Sequence, residues 1–147
     1  MNRIEKALTT FNSGFNCAQA IFSAFSEDLG MNRDIALKVS SGLGAGLGHK
    51  GKECGVVLGA YMVISLRYGS NLPNDELSKE LVYNLTHKFD KRFKEIHHFL
   101  NCSELLNLDM STPEGYGTAL EKGLFNTKCQ EFVRDAVVVL AQIMNKP

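Results

Sequence analysis

The sequence has no excess charge of either sign: sixteen lysines and arginines balance sixteen aspartates and glutamates over 147 residues. That balance removes the electrostatic basis for nucleic acid or an anionic membrane surface as a main partner. Long hydrophobic runs are also missing. The most apolar stretch, Cys54 to Leu66, falls short of the roughly 20 residues needed to cross a bilayer, and reads instead as a buried core helix. The N-terminus, MNRIEKALTTF, carries charges where a secretory signal needs an apolar segment, which points to a cytoplasmic protein. No two cysteines lie close together, so there is no C-x-x-C, zinc-finger or ferredoxin spacing. Strand-helix alternation, long repeats and low-complexity linkers are absent as well.

What remains is a chain of helical periodicity, long enough for one domain spanning residues 1–147 with a sizeable core. The pattern predicts an all-α, compact bundle of about five to six helices with a glycine-rich loop before a central apolar helix. IEKALTTF forms a first short helix. Asn16 caps a second, with Ala18, Ile21, Phe22, Phe25 and Leu29 at helical spacing and Gly30 at its end. Asn32 caps a third. A glycine-dense loop, Gly42 to Gly51, leads into CGVVLGAYMVISLRYG, apolar nearly all round and therefore central in a bundle. There Gly55 and Gly59 share a face that lets another helix approach closely. After a turn at Asn71–Asp75, with Asn74 as a candidate cap, a long amphipathic helix carries a stripe of Leu77, Leu81, Leu85, Phe89, Phe93 and Ile96. Asn101 caps CSELLNL. Ser111 to Asn126, holding Pro113, Gly115, Gly117 and Gly123, reads as loop with one helical turn at most. Thr127 caps a last helix, CQEFVRDAVVVLAQIM.

The four cysteines share one positional property: each falls where a helix begins by arguments that do not use the cysteine. Cys17 follows Asn16, Cys54 follows the glycine loop, Cys102 follows Asn101, and Cys129 follows Thr127 and Lys128. The first turn of a helix offers unpaired N–H groups and the positive end of the dipole, which stabilises a thiolate. In a reducing compartment, where permanent disulfides are disfavoured, such thiols serve as ligands or nucleophiles. The alternative is that they are four small apolar core residues. A site would need helix ends that are distant in sequence to meet in space.

The loop GLGAGLGHKGKE satisfies G-x-G-x-x-G at Gly46, Gly48 and Gly51, but without the strand that motif requires. It also lacks a Ser/Thr after Lys52, where Glu53 stands. Phosphate binding is therefore disfavoured. The better reading is that Gly48, Gly51 and Gly55 let backbone amides approach a cofactor or thiolate near Cys54. His49, the histidine nearest a cysteine in sequence, reads as a solvated loop residue rather than a ligand. Lys128 either tunes Cys129 or is ordinary surface, one of His97 and His98 either faces the site or serves the helix end, and Glu104 reads as a dipole partner in the first turn after Cys102.

These segments, GFNCAQAIFSAFSEDLG, GLGAGLGHKGKECGVVLGAYMVISLRYG, NCSELL and KCQEFVRDAVVVLAQI, together resemble the C_GCAxxG_C_C family of redox-active proteins from Gly14 to about Met144. The resemblance carries the family's cysteine set onto Cys17, Cys54, Cys102 and Cys129, and its glycines onto Gly55 and Gly59. Val56 departs from the pattern, which has alanine there. A related module occurs with split-Soret-type cytochromes, so the resemblance implies an iron–sulfur centre on the four cysteines. Three functions stay open: electron transfer by a cysteine-held iron–sulfur cluster, metal-free thiol–disulfide chemistry, and a zinc-stabilised or purely structural helical interaction module. The first two imply an unidentified redox partner protein, and the apolar central helix would suit a homodimer.

Overall fold

The structure is a computed structural model that describes residues 1–144, so the last three positions of the single-domain reading lie outside the described residues. It is all helical: α1 (Arg3–Asn12), α2 (Cys17–Ser26), α3 (Arg33–Val39), α4 (Ala45–His49), α5 (Gly55–Tyr68), α6 (Glu76–His97), α7 (Cys102–Leu106), α8 (Pro113–Glu121) and α9 (Lys128–Met144). The described residues thus form nine helical segments rather than five or six. The excess comes from short pieces that periodicity passes over. No described helix is long and apolar enough to cross a membrane.

Local chemistry explains most of the boundaries. Asn2 with Glu5, and Asn16 with Gln19, form reciprocal capping boxes at the starts of α1 and α2. Asn32 and Asn101 cap α3 and α7. Asp75, not Asn74, caps α6 by accepting from the Ser78 amide. α8 replaces the expected loop: the Thr112 hydroxyl accepts from the Gly115 amide and Pro113 takes the first turn, where its missing N–H costs nothing. The two internal glycines masked that start signal. Thr127 does not cap α9, because its hydroxyl donates to the Gly123 carbonyl instead.

α5 runs through the middle of the bundle, packed on α2, α6 and α9. Gly59 is required there, since a Cβ at that position would lie 2.9 Å from the Ile21 Cβ and 3.0 Å from the Ala18 carbonyl oxygen of α2. The core around this crossing is built from Ile21, Phe25, Ile64, Phe89, Phe93 and Leu140, all fully buried, each contributing about 1.5–3 kcal/mol by burial. The stripe along α6 is only half used. Phe89 and Phe93 are buried, whereas Leu77, Leu81 and Ile96 are exposed, so only the C-terminal part of α6 beds down on α5 and α9.

The glycine loop is the structural exception. Five successive residues, Ala45 to His49, have φ between 54° and 73°, and so form one turn of left-handed helix closed by Gly48 N–H donating to the Gly44 carbonyl at 2.8 Å. Gly46 and Gly48 adopt this freely, but Ala45, Leu47 and His49 each store roughly 1–2 kcal/mol of strain. Gly46 is also buried: a Cβ there would stand 3.0 Å from the Cys102 Cβ, from the Gly51 Cα and from the Lys52 nitrogen, whereas Gly48 faces open space. Gly48→Ala is therefore expected to lower stability by about 1–2 kcal/mol from backbone strain alone, and Gly46→Ala by clearly more. Urea-unfolding midpoints of the two variants check this; equal losses would contradict it.

Candidate functional site

Three of the four cysteines sit at the first residues of their helices: Cys17 and Cys102 open α2 and α7, and Cys129 is the second residue of α9. Cys54 is the N-cap of α5. Distant backbone segments hold these ends together. An isolated antiparallel bridge pairs Glu53 with Asn101; beside it the Cys54 amide donates to the Leu100 carbonyl at 2.8 Å and the Cys102 amide to the Lys52 carbonyl at 2.6 Å. Cys54 and Cys102 thereby flank the bridge diagonally, Cys54 opposite Leu100 and Cys102 opposite Lys52. Cys17 arrives from the other side. Its helix start is fixed by Asn16, which donates to the Ser41 carbonyl, and by Gln19, which donates to the Leu37 carbonyl, both at 2.8 Å. Its sulfur lies directly against Gly55, where any Cβ would overlap it.

Cys17 and Cys54 are neighbouring thiols whose mutual interaction lowers the pKa of Cys17 and raises that of Cys54. Cys17 is therefore the more acidic of the two. Its pKa is lowered to about 7, first by that interaction and further by backbone N–H groups of Ala45, Ala18 and Cys17 itself, against the opposing effect of burial. The left-handed turn supplies the Ala45 donor. The other three thiols go the other way. Cys54 is pushed well up by the interaction with Cys17, by burial, and because charge on Cys17 and Cys102 repels its own. Burial, and then charge on Cys17, raise Cys102 to about 11. Cys129 is raised by burial and by both of those neighbours. This corrects the expectation that every helix start would acidify its thiol: the dipole effect, of order 1 kcal/mol, loses to desolvation unless direct donors reinforce it.

All four cysteines line a single cavity of about 430 Å³. Cys54 lies at its floor with Val56, Leu106, Met110 and Phe132, all buried. Aromatic rings at its sides and mouth include Phe11, Phe15, Tyr116 and Phe125. Sequence reasoning missed these walls, since aromatic residues at helical spacing carry no signal separating cavity from core. It also missed Ala45, whose backbone rather than side chain does the work. Of the glycines expected to approach a cofactor, Gly55 abuts Cys17, Gly51 abuts the Ser103 hydroxyl, and Gly48 touches nothing. His49 lines the cavity mouth, packed edge-on against Tyr116 at 5.1 Å. His97 is engaged with Asp135 at 2.8 Å and meets Phe132 edge-on at 4.8 Å, one layer behind the cavity, while His98 is exposed. Lys128 and Glu104 are also exposed.

Four soft sulfur donors suit a thiophilic metal centre. Among the described residues, however, no group of three or more His, Cys, Asp or Glu side chains is spaced to hold a single metal ion.

The family model described as "Putative redox-active protein (C_GCAxxG_C_C)" matches residues 15–143, and the chain belongs to that family. No curated protein and no solved structure matches it.

The donor set around Cys17 has a measurable signature. Because a thiol reacts as its thiolate, iodoacetamide should label Cys17 with a rate that rises with pH and is half-maximal near pH 7. Cys54→Ala removes the largest of the lowering influences and should move that midpoint up toward the ordinary cysteine value of about 8.5. A reactive thiol whose midpoint does not respond to Cys54→Ala would contradict the arrangement.

Proposed function

We propose that this chain is a two-electron thiol redox protein in which Cys17 is the nucleophile and Cys54 the resolving thiol. The observation that carries the reading is placement: the Cys17 sulfur rests against Gly55 at the start of α5, next to Cys54, and both cysteines line the one cavity. On oxidation, two electrons leave the pair, the Cys54 proton is released, and an S–S bond joins Cys17 to Cys54; on reduction by a partner protein the two thiols are regenerated. The N–H groups of Ala18 and Ala45 hold the Cys17 thiolate in place before attack. The raised pKa of Cys54 keeps its proton on until Cys17 has reacted, so the two sulfurs act in order. Cys17 opens α2 and Cys54 caps α5, and these two helices pack tightly on each other.

A second reading is favoured by a separate observation: Cys102 and Cys129 line the same cavity without taking part in the pair. Cys17, Cys54, Cys102 and Cys129 would then be the four ligands of an iron–sulfur cluster, which supplies one-electron transfer when bound. In that case the Ala45 and Ala18 N–H groups would donate to ligand sulfur and the apolar walls would exclude water, both of which tune potential.

Thiol counting separates the two. The reduced protein should show four free thiols and the oxidised protein two. Cys17→Ser or Cys54→Ser should abolish the reversible change, while Cys102→Ser and Cys129→Ser should retain it. Stoichiometric iron and sulfide after anaerobic purification, lost equally on replacing any of the four cysteines, would overturn the dithiol reading in favour of the cluster.

A further inference from the structure

The cavity is larger than the dithiol needs, and its lining is chemically selective. At about 430 Å³ it falls within the range of small-molecule sites, roughly 300–1,000 Å³. Among the described residues, no lysine, arginine, aspartate or glutamate lines it. A ligand carrying a phosphate, carboxylate or ammonium group would have to leave water there without a countercharge, which is costly. The walls favour a flat ring. His49 meets Tyr116 edge-on at 5.1 Å and Tyr116 meets Phe125 at 5.3 Å, making an aromatic chain around the mouth, while Phe132 lies at the floor. Polar donors are few and free. Tyr116 and Asn126 line the exposed rim together with His49, and none of the three side chains hydrogen-bonds to another described residue.

We infer that the cavity binds a small, neutral quinone, which the Cys17–Cys54 dithiol reduces to its hydroquinone. A quinone is flat, uncharged and apolar across its ring, with a carbonyl oxygen at each end to accept from rim donors such as the Tyr116 hydroxyl. The inference rests on the dithiol reading and names its oxidant. The step balances: the Cys17 thiolate, the Cys54 thiol, the quinone and one proton from solvent give the Cys17–Cys54 disulfide and the hydroquinone. Two electrons pass from sulfur to the ring. One oxygen takes the Cys54 proton, and the other takes the solvent proton, which reaches it past His49 at the mouth. Charged disulfides such as oxidised glutathione match the chemistry of the sulfurs but not the uncharged lining.

The test uses tetramethyl-1,4-benzoquinone, whose fully substituted ring blocks direct addition of thiols to the ring carbons. Reduced protein is mixed with it anaerobically, and the loss of quinone absorbance is followed together with free thiols. One hydroquinone per disulfide is expected, with a rate that saturates as quinone is raised and exceeds that with oxidised glutathione at least tenfold. In parallel, the Cys17→Ser/Cys54→Ser double variant should still bind the quinone, read by NMR shifts of the Tyr116 and Phe125 rings. If hydrogen peroxide forms the disulfide but the double variant shows no quinone shifts and the native rate stays linear in quinone, the substrate class is wrong and the dithiol reading stands. If no oxidant forms a disulfide, the dithiol reading and the inference fall together.

Discussion

The site depends on the close crossing of two helix starts. α2 and α5 approach until the Cys17 sulfur rests on Gly55 and the Ile21 side chain on Gly59, which is possible only because both glycines lack a Cβ. That approach places the sulfur of the first residue of α2 next to the N-cap thiol of α5. The remaining supports of the site serve the same approach. The Glu53–Asn101 bridge fixes Cys54 relative to α7, and the Asn16 and Gln19 hydrogen bonds fix Cys17 relative to the segment between α2 and α4. The left-handed turn brings the Ala45 amide to the Cys17 sulfur. Strained non-glycine backbone is kept where the surrounding structure over-determines it, and this turn is clamped between Cys17 on one side and Cys102 on the other.

The electrostatics follow from competition rather than from helix starts alone. All four thiols share the dipole contribution, yet only Cys17 gains enough direct donors to overcome desolvation. Among the described residues, the cavity lining provides no lysine or arginine to stabilise a second thiolate. Negative charge on Cys17 therefore raises its neighbours, and Cys17 is the thiol of the four that ionises first. A pair in which one thiol ionises before the other is the state from which a nucleophile and a resolving thiol can act in sequence.

Much of this was legible in the chain because asparagine caps announce helix starts without reference to their neighbours. Asn16 and Asn101 located Cys17 and Cys102 directly, and the small residues Gly55 and Gly59 announced the close crossing of α5. The all-helical class and the central place of α5 follow from periodicity and from an apolar surface on every side. What periodicity could not convey was handedness and depth. Gly-x-Gly spacing permits a left-handed turn but does not require one, so Ala45 carried no mark of its role. Pro113 and Thr112 did signal α8, but Gly115 and Gly117 outweighed them in a propensity reading. The stripe on α6 promised burial along its whole length, because amphipathicity records which face is apolar and not how far the partner helices extend. The spacing of the four cysteines showed that they begin helices; that they line one cavity depends on the bridge at Glu53, which two isolated residues do not announce.

The most direct test is peptide mapping by mass spectrometry after the protein has taken up one two-electron equivalent of oxidant and been quenched in acid. A single cross-linked species joining the peptide of Cys17 to that of Cys54, with Cys102 and Cys129 recovered as free thiols, is the result expected. A link between Cys102 and Cys129, or a mixture with no preferred pair, would show that the contact between α2 and α5 does not direct the chemistry.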